Sequence, residues 1–301
     1  MKQISKPPKR RRIHTIHGRR RYIAPDWAQK LREAGLDPRG DWSSIRPGEV
    51  VIESNTTQVY RVPFEGGSFF FKRYRSPRGK PWRYFLRPSR AAGEWFGLTA
   101  FRDIGIPVAE VAAFGEERIL GRLDAGYMVT VGVENSANLE DFAYQTWYPL
   151  PAEKRKRVYL QIRSKLFEQL HLAHRHRLFH RDLHWRNILV RTHGDGGYET
   201  CWIDCPRAIR RRFFWRHERM VDLSCLARLA LSYLGRTERY RALQTFLADQ
   251  PSQTARELFA EIDRHHRRSK HPPCLVELPE RPVTVDGTDT VPEPSGSTPT
   301  R

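Results

Sequence analysis

His180-Arg181-Asp182-Leu183-His184-Trp185-Arg186-Asn187-Ile188-Leu189-Val190 is the stretch from which the rest of the chain can be read. It reads His-Arg-Asp, four intervening residues and an Asn, and closes on three apolar, strand-forming residues. That order suits a phosphoryl-transfer loop, in which the Asp takes the proton of an attacking hydroxyl and the Asn amide oxygen reaches a Mg²⁺ on the phosphates. The spacing has a physical reason: a short loop must aim one carboxylate at the nucleophile and then turn back toward the metal. Other His-Arg pairs occur at His174-Arg175 and His176-Arg177, but Asn at this offset followed by Ile-Leu-Val sets the 180–190 stretch apart from chance.

Upstream, short β-rich runs (Val50-Val51-Ile52, Val59 to Val62, Phe69-Phe70-Phe71) alternate with turn-forming Ser-Asn-Thr-Thr and Glu-Gly-Gly-Ser. The third run ends in Lys72, where a strand-borne Lys can pair with the α- and β-phosphates of a nucleotide. A helix is expected from Ser89, as N-cap, to about Ile104, and it carries Glu94, the candidate partner that fixes the Lys72 ammonium. Strands are expected at Val111–Phe114 and Tyr127–Val131, followed by a hinge, Gly132-Val133-Glu134-Asn135, where adenine meets backbone groups.

Downstream, Glu153 to about Arg177 repeats Val158, Ile162, Leu166, Leu170 and Ala173 at helical spacing, giving one apolar stripe on a charged surface. Ile188-Leu189-Val190 and Cys201-Trp202-Ile203 flank a Gly-rich turn and read as a hairpin that delivers Asp204, a second candidate Mg²⁺ ligand beside Asn187. The next segment, Cys205 to Arg216, is short, cationic and aromatic, and no Ala-Pro-Glu follows it. It leaves no room for a long peptide-binding loop and favours an anionic small or lipid-linked acceptor. Asp222-Leu223 is expected to open an apolar helix reaching Leu234, with two further helices at about 237–249 and 252–268.

The chain has 301 residues, 39% hydrophobic and 11% aromatic, enough for a large core. Its net charge of +19 calls for an anionic partner: phosphorylated substrate, anionic lipid or nucleic acid. Four cysteines with neither metal nor disulfide spacing predict reduced thiols in a cytosolic compartment. No apolar run approaches the ~18 residues of a transmembrane helix, and the basic N-terminus lacks the apolar core of a signal peptide. Mixed cations and aromatics over residues 75–90 suit a membrane interface or a phosphate-rich ligand.

The constellation resembles the lipopolysaccharide kinases that phosphorylate heptose or Kdo sugars of the lipid A inner core, within the protein-kinase-like superfamily. The residues that carry the resemblance are Phe70 to Tyr74, Glu94 with Gly105-Ile106-Pro107-Val108, His180 to Leu189, Ile203-Asp204-Cys205-Pro206-Arg207-Ala208 and Asp222-Leu223-Ser224. It covers roughly residues 50–250. It implies an α+β, bilobal kinase-like fold, with an antiparallel sheet plus helix in the N-lobe and a mainly helical C-lobe. ATP and Mg²⁺ would be used on a sugar-lipid acceptor, by a cytoplasmic enzyme peripheral to the inner face of the cytoplasmic membrane. By position, Lys72 would anchor phosphates, Glu94 hold Lys72, Asp182 act as base, Asn187 and Asp204 bind metal, and His180 and Asp222 brace the loop. One departure stands out: no G-x-G-x-x-G lies between Ile52 and Val62, so Ser54-Asn55-Thr56-Thr57 would cover the phosphates with backbone N–H groups and hydroxyls. Asn55, Thr56 and Glu134 complete the expected nucleotide site.

The expected organisation is a disordered basic arm (1–22), an N-terminal extension (23–49), an N-lobe (50–133), a C-lobe (134–270) and a disordered Pro-, Thr- and Ser-rich tail (271–301). Two alternatives stay open. One is a kinase for another small molecule or a protein. The other is a non-catalytic pseudokinase-like module binding anionic membrane or nucleic acid; this module is disfavoured because a scaffold has no need of Lys72, Asp182, Asn187 and Asp204 together, and nucleic acid is not an expected partner. The sequence is silent on oligomeric state.

Overall fold

Alternation along one strand decides how the first half of the molecule is built. In β5 (Gly67–Arg75), Phe69 and Phe71 point to one face of a sheet, while Lys72 and Tyr74 lie on faces set by the same two-residue period. Phe69 and Phe71 join a core with Trp42, Tyr60 and Tyr127, whereas Tyr74 joins a second core with Trp95 and Phe114. The strand is therefore buried on both sides, and its position 72 faces the same side as Tyr74.

The computed structural model describes residues 2–3, 8–9, 11–37, 39–76, 82–194, 196–248, 253–268, 276 and 278. Its main sheet has seven strands: β1 (Lys2–Gln3), β2 (Gly18–Ile23), β3 (Glu49–Glu53), β4 (Thr57–Phe64), β5, β6 (Val111–Ile119) and β7 (Arg122–Val131). They lie in the order β1-β2-β6-β7-β5-β4-β3, antiparallel except for the β1–β2 pair. One face of this sheet is covered by residues of the 23–49 segment, with Leu31 of the short helix α1 (Ala28–Glu33), Leu36 and Trp42 fully buried. The other face receives α2 (Arg90–Asp103), capped by Ser89 Oγ, which accepts from the Ala92 amide at 3.0 Å. Every residue of α2 from Ala91 to Phe101 is buried, as expected of a helix enclosed on all sides.

Two glycines let α2 fit there. A Cβ on Gly93 would stand 2.2 Å from Pro206 O, and one on Gly97 would stand 2.6 Å from Cys205 Sγ and 2.7 Å from Ala208 Cβ. The helix thus lies between the sheet and the segment that follows Asp204.

The basic N-terminal region differs from the disordered arm expected of residues 1–22. Gly18–Ile23 is a strand in register with β6, with Arg20 opposite Glu116 and Arg19 opposite Glu117. Arg21 is 1% exposed: it donates to Gly40 O at 2.8 Å and Glu117 Oε1 at 3.3 Å and stacks 4.3 Å over Trp42. Acidic partners a hundred residues away turn a repulsive charge run into a paired strand, a pairing no local pattern reveals. The tail expected at 271–301 lies outside the described residues apart from Val276 and Leu278.

The second half begins with β8 (Ser136–Asn138) and the single turn α3 (Leu139–Asp141), which continues as a wider π turn through Trp147. The long helix α4 (Ala152–Arg175) buries Val158, Ile162, Leu166, Leu170 and Ala173, the stripe read from the sequence. β9 (Leu178–Phe179) leads into the 180–187 loop, and β10 (Ile188–Thr192) with β11 (Tyr198–Trp202) forms the expected hairpin, extended by β8. β12 (Ile209–Arg210) pairs back on β9, followed by α5 (Trp215–Tyr233), α6 (Arg236–Phe246) and α7 (Ala255–Arg268). Helix α5 starts well before Asp222, which sits in its interior instead of opening it; its first residue, Trp215, lies under Arg177 at 4.0 Å. A single buried cluster runs from Trp95 and Phe101 of α2 to Leu170 of α4 and Leu223 of α5, so the sheet half and the helical half share one core. Among the described residues no helix is long and apolar enough to cross a membrane.

Candidate active site

Strand β5 and helix α2 bring three groups to one point. Lys72 Nζ donates to Glu94 Oε1 at 2.7 Å, and Tyr74 OH donates to Glu94 Oε2 at 2.6 Å. The two-residue period puts Lys72 and Tyr74 on the face that α2 covers, and Glu94, fully buried, sits between them. Asp204 closes the cluster: its Oδ1 accepts from Lys72 Nζ at 3.1 Å. Asp204 follows β11 with φ of 52°, a left-handed conformation that Asp tolerates better than most residues and that turns its side chain back toward Lys72.

The charges reinforce one another. Burial opposes the Lys72 ammonium, but Asp204 and Glu94 outweigh it and hold its pKa above the ordinary lysine value. The same ammonium holds Asp204 below the usual carboxylate range against the opposing effect of burial. Burial, then Glu94, pushes the Tyr74 phenol well up, so it stays a proton donor. The Cys205 thiol, buried behind α2, is likewise pushed well up and stays protonated.

Asp182 lies on a loop fastened from both ends. Asp222 on α5, fully buried, accepts from the backbone amides of His180 (3.2 Å, Oδ2) and Arg181 (2.6 Å, Oδ1), and its Oδ2 lies 3.2 Å from His174 Nε2. Arg181 adopts φ of 64°, and its guanidinium meets Glu218 Oε2 at 2.8 Å. His180 Nε2 donates to Ile203 O at 3.1 Å, tying the loop to the residue before Asp204, and burial keeps this ring neutral by lowering its pKa. Asp182 O accepts from Asn187 Nδ2 at 2.7 Å and from His184 N at 2.8 Å, and Ile203 N donates to Asn187 O at 2.9 Å. The Asn187 side chain therefore commits its amine to the loop and leaves its amide oxygen as the atom able to meet a cation. His184 Nε2 stands 3.6 Å from Asp182 Oδ1, and burial lowers its pKa.

The structure places the remaining expected residues differently. Ser54 Oγ accepts from Thr57 N at 3.0 Å and Thr56 N at 3.4 Å, and Thr56 O accepts from Arg75 N, so the Ser54–Thr57 turn bonds to itself and to β5. With Ser54 N donating to Thr57 O, three of the amides expected to cover phosphates are engaged, and no described contact joins Asn55 or Thr56 to Lys72. Arg90 at the start of α2 reaches this turn instead, donating to Thr57 Oγ1 at 3.1 Å. Glu134 is exposed after β7, with its Oε1 3.4 Å from where a Cβ on Gly67 would be, beside the β4–β5 turn.

Several site residues escaped the sequence reading. Tyr74 could have been found from its parity with Lys72. The packing of Gly93 and Gly97 against the 205–208 segment has no local signal. Nor does the crossing of residues 11–14 over α2: a Cβ on Gly93 would lie 3.1 Å from Arg11 Nε, and the His14 ring sits 5.0 Å from the rings of both Trp95 and Phe114. Burial lowers the Arg11 pKa, Tyr84 opposes that shift, and the like charges of Arg181 and Arg207 add to it. In the cationic segment after Asp204, Phe213 and Phe214 stand out in solvent. A separate apolar cavity of about 180 Å³ lies in the helical half between α4 and α7, and none of Lys72, Glu94, Asp182, Asn187 or Asp204 lines it.

Residues 66–250 match the model of the lipopolysaccharide kinase (Kdo/WaaP) family. The chain is 26% identical over 225 residues to the lipopolysaccharide core heptose(I) kinase WaaP of Escherichia coli, an overlap of 71% of this chain and 83% of that protein. The solved structure of WaaP in complex with acyl carrier protein shares the fold, with a TM-score of 0.61 at 21% identity over 82% of this chain and 97% of that one.

Proposed function

The chain belongs to the lipopolysaccharide kinase (Kdo/WaaP) family, and on that premise we propose that it transfers the γ-phosphate of ATP to a heptose or Kdo hydroxyl of the lipopolysaccharide inner core, from the cytoplasmic face of an anionic membrane. The observation that carries this reading is the Lys72–Glu94–Asp204 cluster lying beside a loop that presents Asp182.

The geometry supports a role for each residue. Lys72, kept charged by two carboxylates, holds phosphate oxygens once a nucleotide enters; Glu94 keeps it aimed, with Tyr74 filling the second carboxylate oxygen. Asp204, kept ionised by Lys72, and the Asn187 amide oxygen form a hard-oxygen donor pair that fits Mg²⁺, an ion that takes few protein ligands and completes its shell with water and phosphate. The Mg²⁺ would neutralise charge building on the phosphates. Asp182 orients the acceptor hydroxyl and takes its proton, while Asn187, His184 and, through the backbone, Asp222 hold Asp182 in place. Catalysis of this kind is mostly positioning and charge neutralisation. In place of a glycine-rich cover, Arg90 next to the Ser54–Thr57 turn is the group placed to meet phosphate charge from above.

The test is transfer of label from γ-labelled ATP to a dephosphorylated lipopolysaccharide core carrying heptose and Kdo. The reading predicts Mg²⁺-dependent label on a core sugar. Label only on a simple sugar or a protein would move the acceptor elsewhere within kinase chemistry.

A further inference from the structure

Most large apolar side chains of the sheet half are buried; besides the outer strand β3, where Val50, Val51 and Ile52 are about half exposed, the end of the sheet at the β6–β7 turn is not. Leu120, at the turn between β6 and β7, is 74% exposed; Ile16 is 62%, Trp82 is 65% and Leu86 is 52% exposed. These residues come from three separate segments held together by backbone bonds: Leu86 N donates to Gly121 O at 3.1 Å, and Gly121 N to Ile16 O at 2.6 Å. Trp82 meets the half-exposed Phe85 ring edge-on at 5.3 Å. The patch is thus one contiguous surface.

It is also a built surface. Arg118, fully buried, donates to the carbonyls of Tyr84 (2.8 Å), Arg87 (2.6 Å) and Gly121 (2.8 Å) while pairing with buried Glu116 at 2.9 Å. One guanidinium therefore pins the 84–87 loop to the β6–β7 turn. Leu86 and Leu120 both adopt left-handed backbone, with φ of 46° and 49°, where a leucine side chain is strained and Asn or Gly would serve better. Both leucines stay more than half exposed, so burial gives little account of their presence.

We infer that this edge, built from Ile16, Trp82, Phe85, Leu86 and Leu120, is the element by which the protein docks on an anionic lipid bilayer. Cations flank the apolar tip: Arg83 and Arg87 are exposed within the same loop, and Arg122 follows the turn. Apolar tips with Trp at the boundary and arginines around them match the headgroup region of a membrane, where acyl contact and anionic phosphate attraction add. The loop runs directly into Ser89 and α2, the helix whose Glu94 pairs with Lys72 in the cleft. Docking by this edge sets the cleft beside the bilayer, where a lipid-borne sugar would be met. The inference deepens the proposed function and rests on its lipid-linked acceptor.

The experiment is flotation of the full chain with vesicles of phosphatidylethanolamine and phosphatidylglycerol, and with vesicles of phosphatidylcholine alone. Alongside run the double variant Trp82→Ser with Leu120→Ser and the charge variant Arg83→Glu with Arg87→Glu. Wild type is expected to float with the anionic vesicles, and the apolar variant to partition at least roughly tenfold less. The charge variant loses preference for anionic over neutral vesicles, and transfer to a soluble, deacylated acceptor is unchanged in both. Flotation equal to wild type in the apolar variant overturns the inference. So does a wild type that ignores vesicles, or a patch that holds two copies of the chain together and releases them on substitution. If wild type transfers nothing to the soluble acceptor yet floats through this patch, docking stands and the acceptor assignment fails.

Discussion

Lys72 on β5 and Asp204 beyond β11 meet at 3.1 Å across the gap between the sheet and the helical half, and Glu94 of α2 stands on the other side of the same ammonium at 2.7 Å. Glu94 also takes the Tyr74 hydroxyl, so it satisfies two buried donors at once. Glu94→Ala is expected to lower stability by about 3 kcal/mol, because it strands a buried phenol and half-strips a buried ammonium. Thermal melts check this. An unchanged midpoint would mean that the cluster is looser than its geometry.

Gly97→Ala probes how α2 is seated. The new Cβ would sit 2.6 Å from Cys205 Sγ and 2.9 Å from Cys205 O, and backbone on the far side cannot yield without moving Asp204. The expected result is a loss of roughly 1–3 kcal/mol together with weaker nucleotide binding. Full stability with native nucleotide affinity would show that the 205–208 segment can retreat freely.

Asp222→Ala removes the acceptor of two backbone amides and the partner of His174. A destabilisation of about 3 kcal/mol is expected, with Asp222→Asn losing less because its amide oxygen can still accept from one amide. If both variants melt like wild type, the loop is held by other contacts, chiefly Arg181–Glu218.

Much of this arrangement was legible in the sequence because it rests on local signals. The β5 alternation, the Ser89 cap and the α4 stripe are short-range patterns, and the Lys72–Glu94 pair follows from them once the 180–190 motif is recognised. The kinase fold and family follow likewise. What escaped depends on partners distant in the chain. Arg19–Arg21 reads as part of a disordered basic arm until Glu116 and Glu117 are placed beside it, and Trp215, the first residue of α5, meets Arg177 of a separate segment. The expectation that the Ser54–Thr57 turn covers phosphates leaves out Ser54 Oγ, which accepts from Thr56 N and Thr57 N.

His14 gives a pH signature. Burial between Trp95 and Phe114 outweighs the pull of Glu116 and lowers its pKa from 6.5 to about 4. Below about 6.5 the unfolded chain takes up a proton that the folded chain refuses until about 4. The stabilisation is therefore complete above that window and declines as pH falls through it; His180, also lowered by burial, acts with the same sign. The melting temperature should drop from about pH 7 to about pH 5, and drop less in His14→Phe, whose backbone amide keeps its bond to Glu116. An identical decline in the variant would assign the effect to other groups.

The most direct test of the phosphotransfer account is single-turnover transfer from Mg²⁺–ATP to core oligosaccharide, measured with nucleotide binding, for wild type, Asp182→Ala and Asp204→Ala. The account predicts that Asp182→Ala binds nucleotide like wild type but transfers about 10²–10⁴-fold more slowly, whereas Asp204→Ala loses Mg²⁺-dependent binding as well. Transfer at the wild-type rate by Asp182→Ala would contradict it.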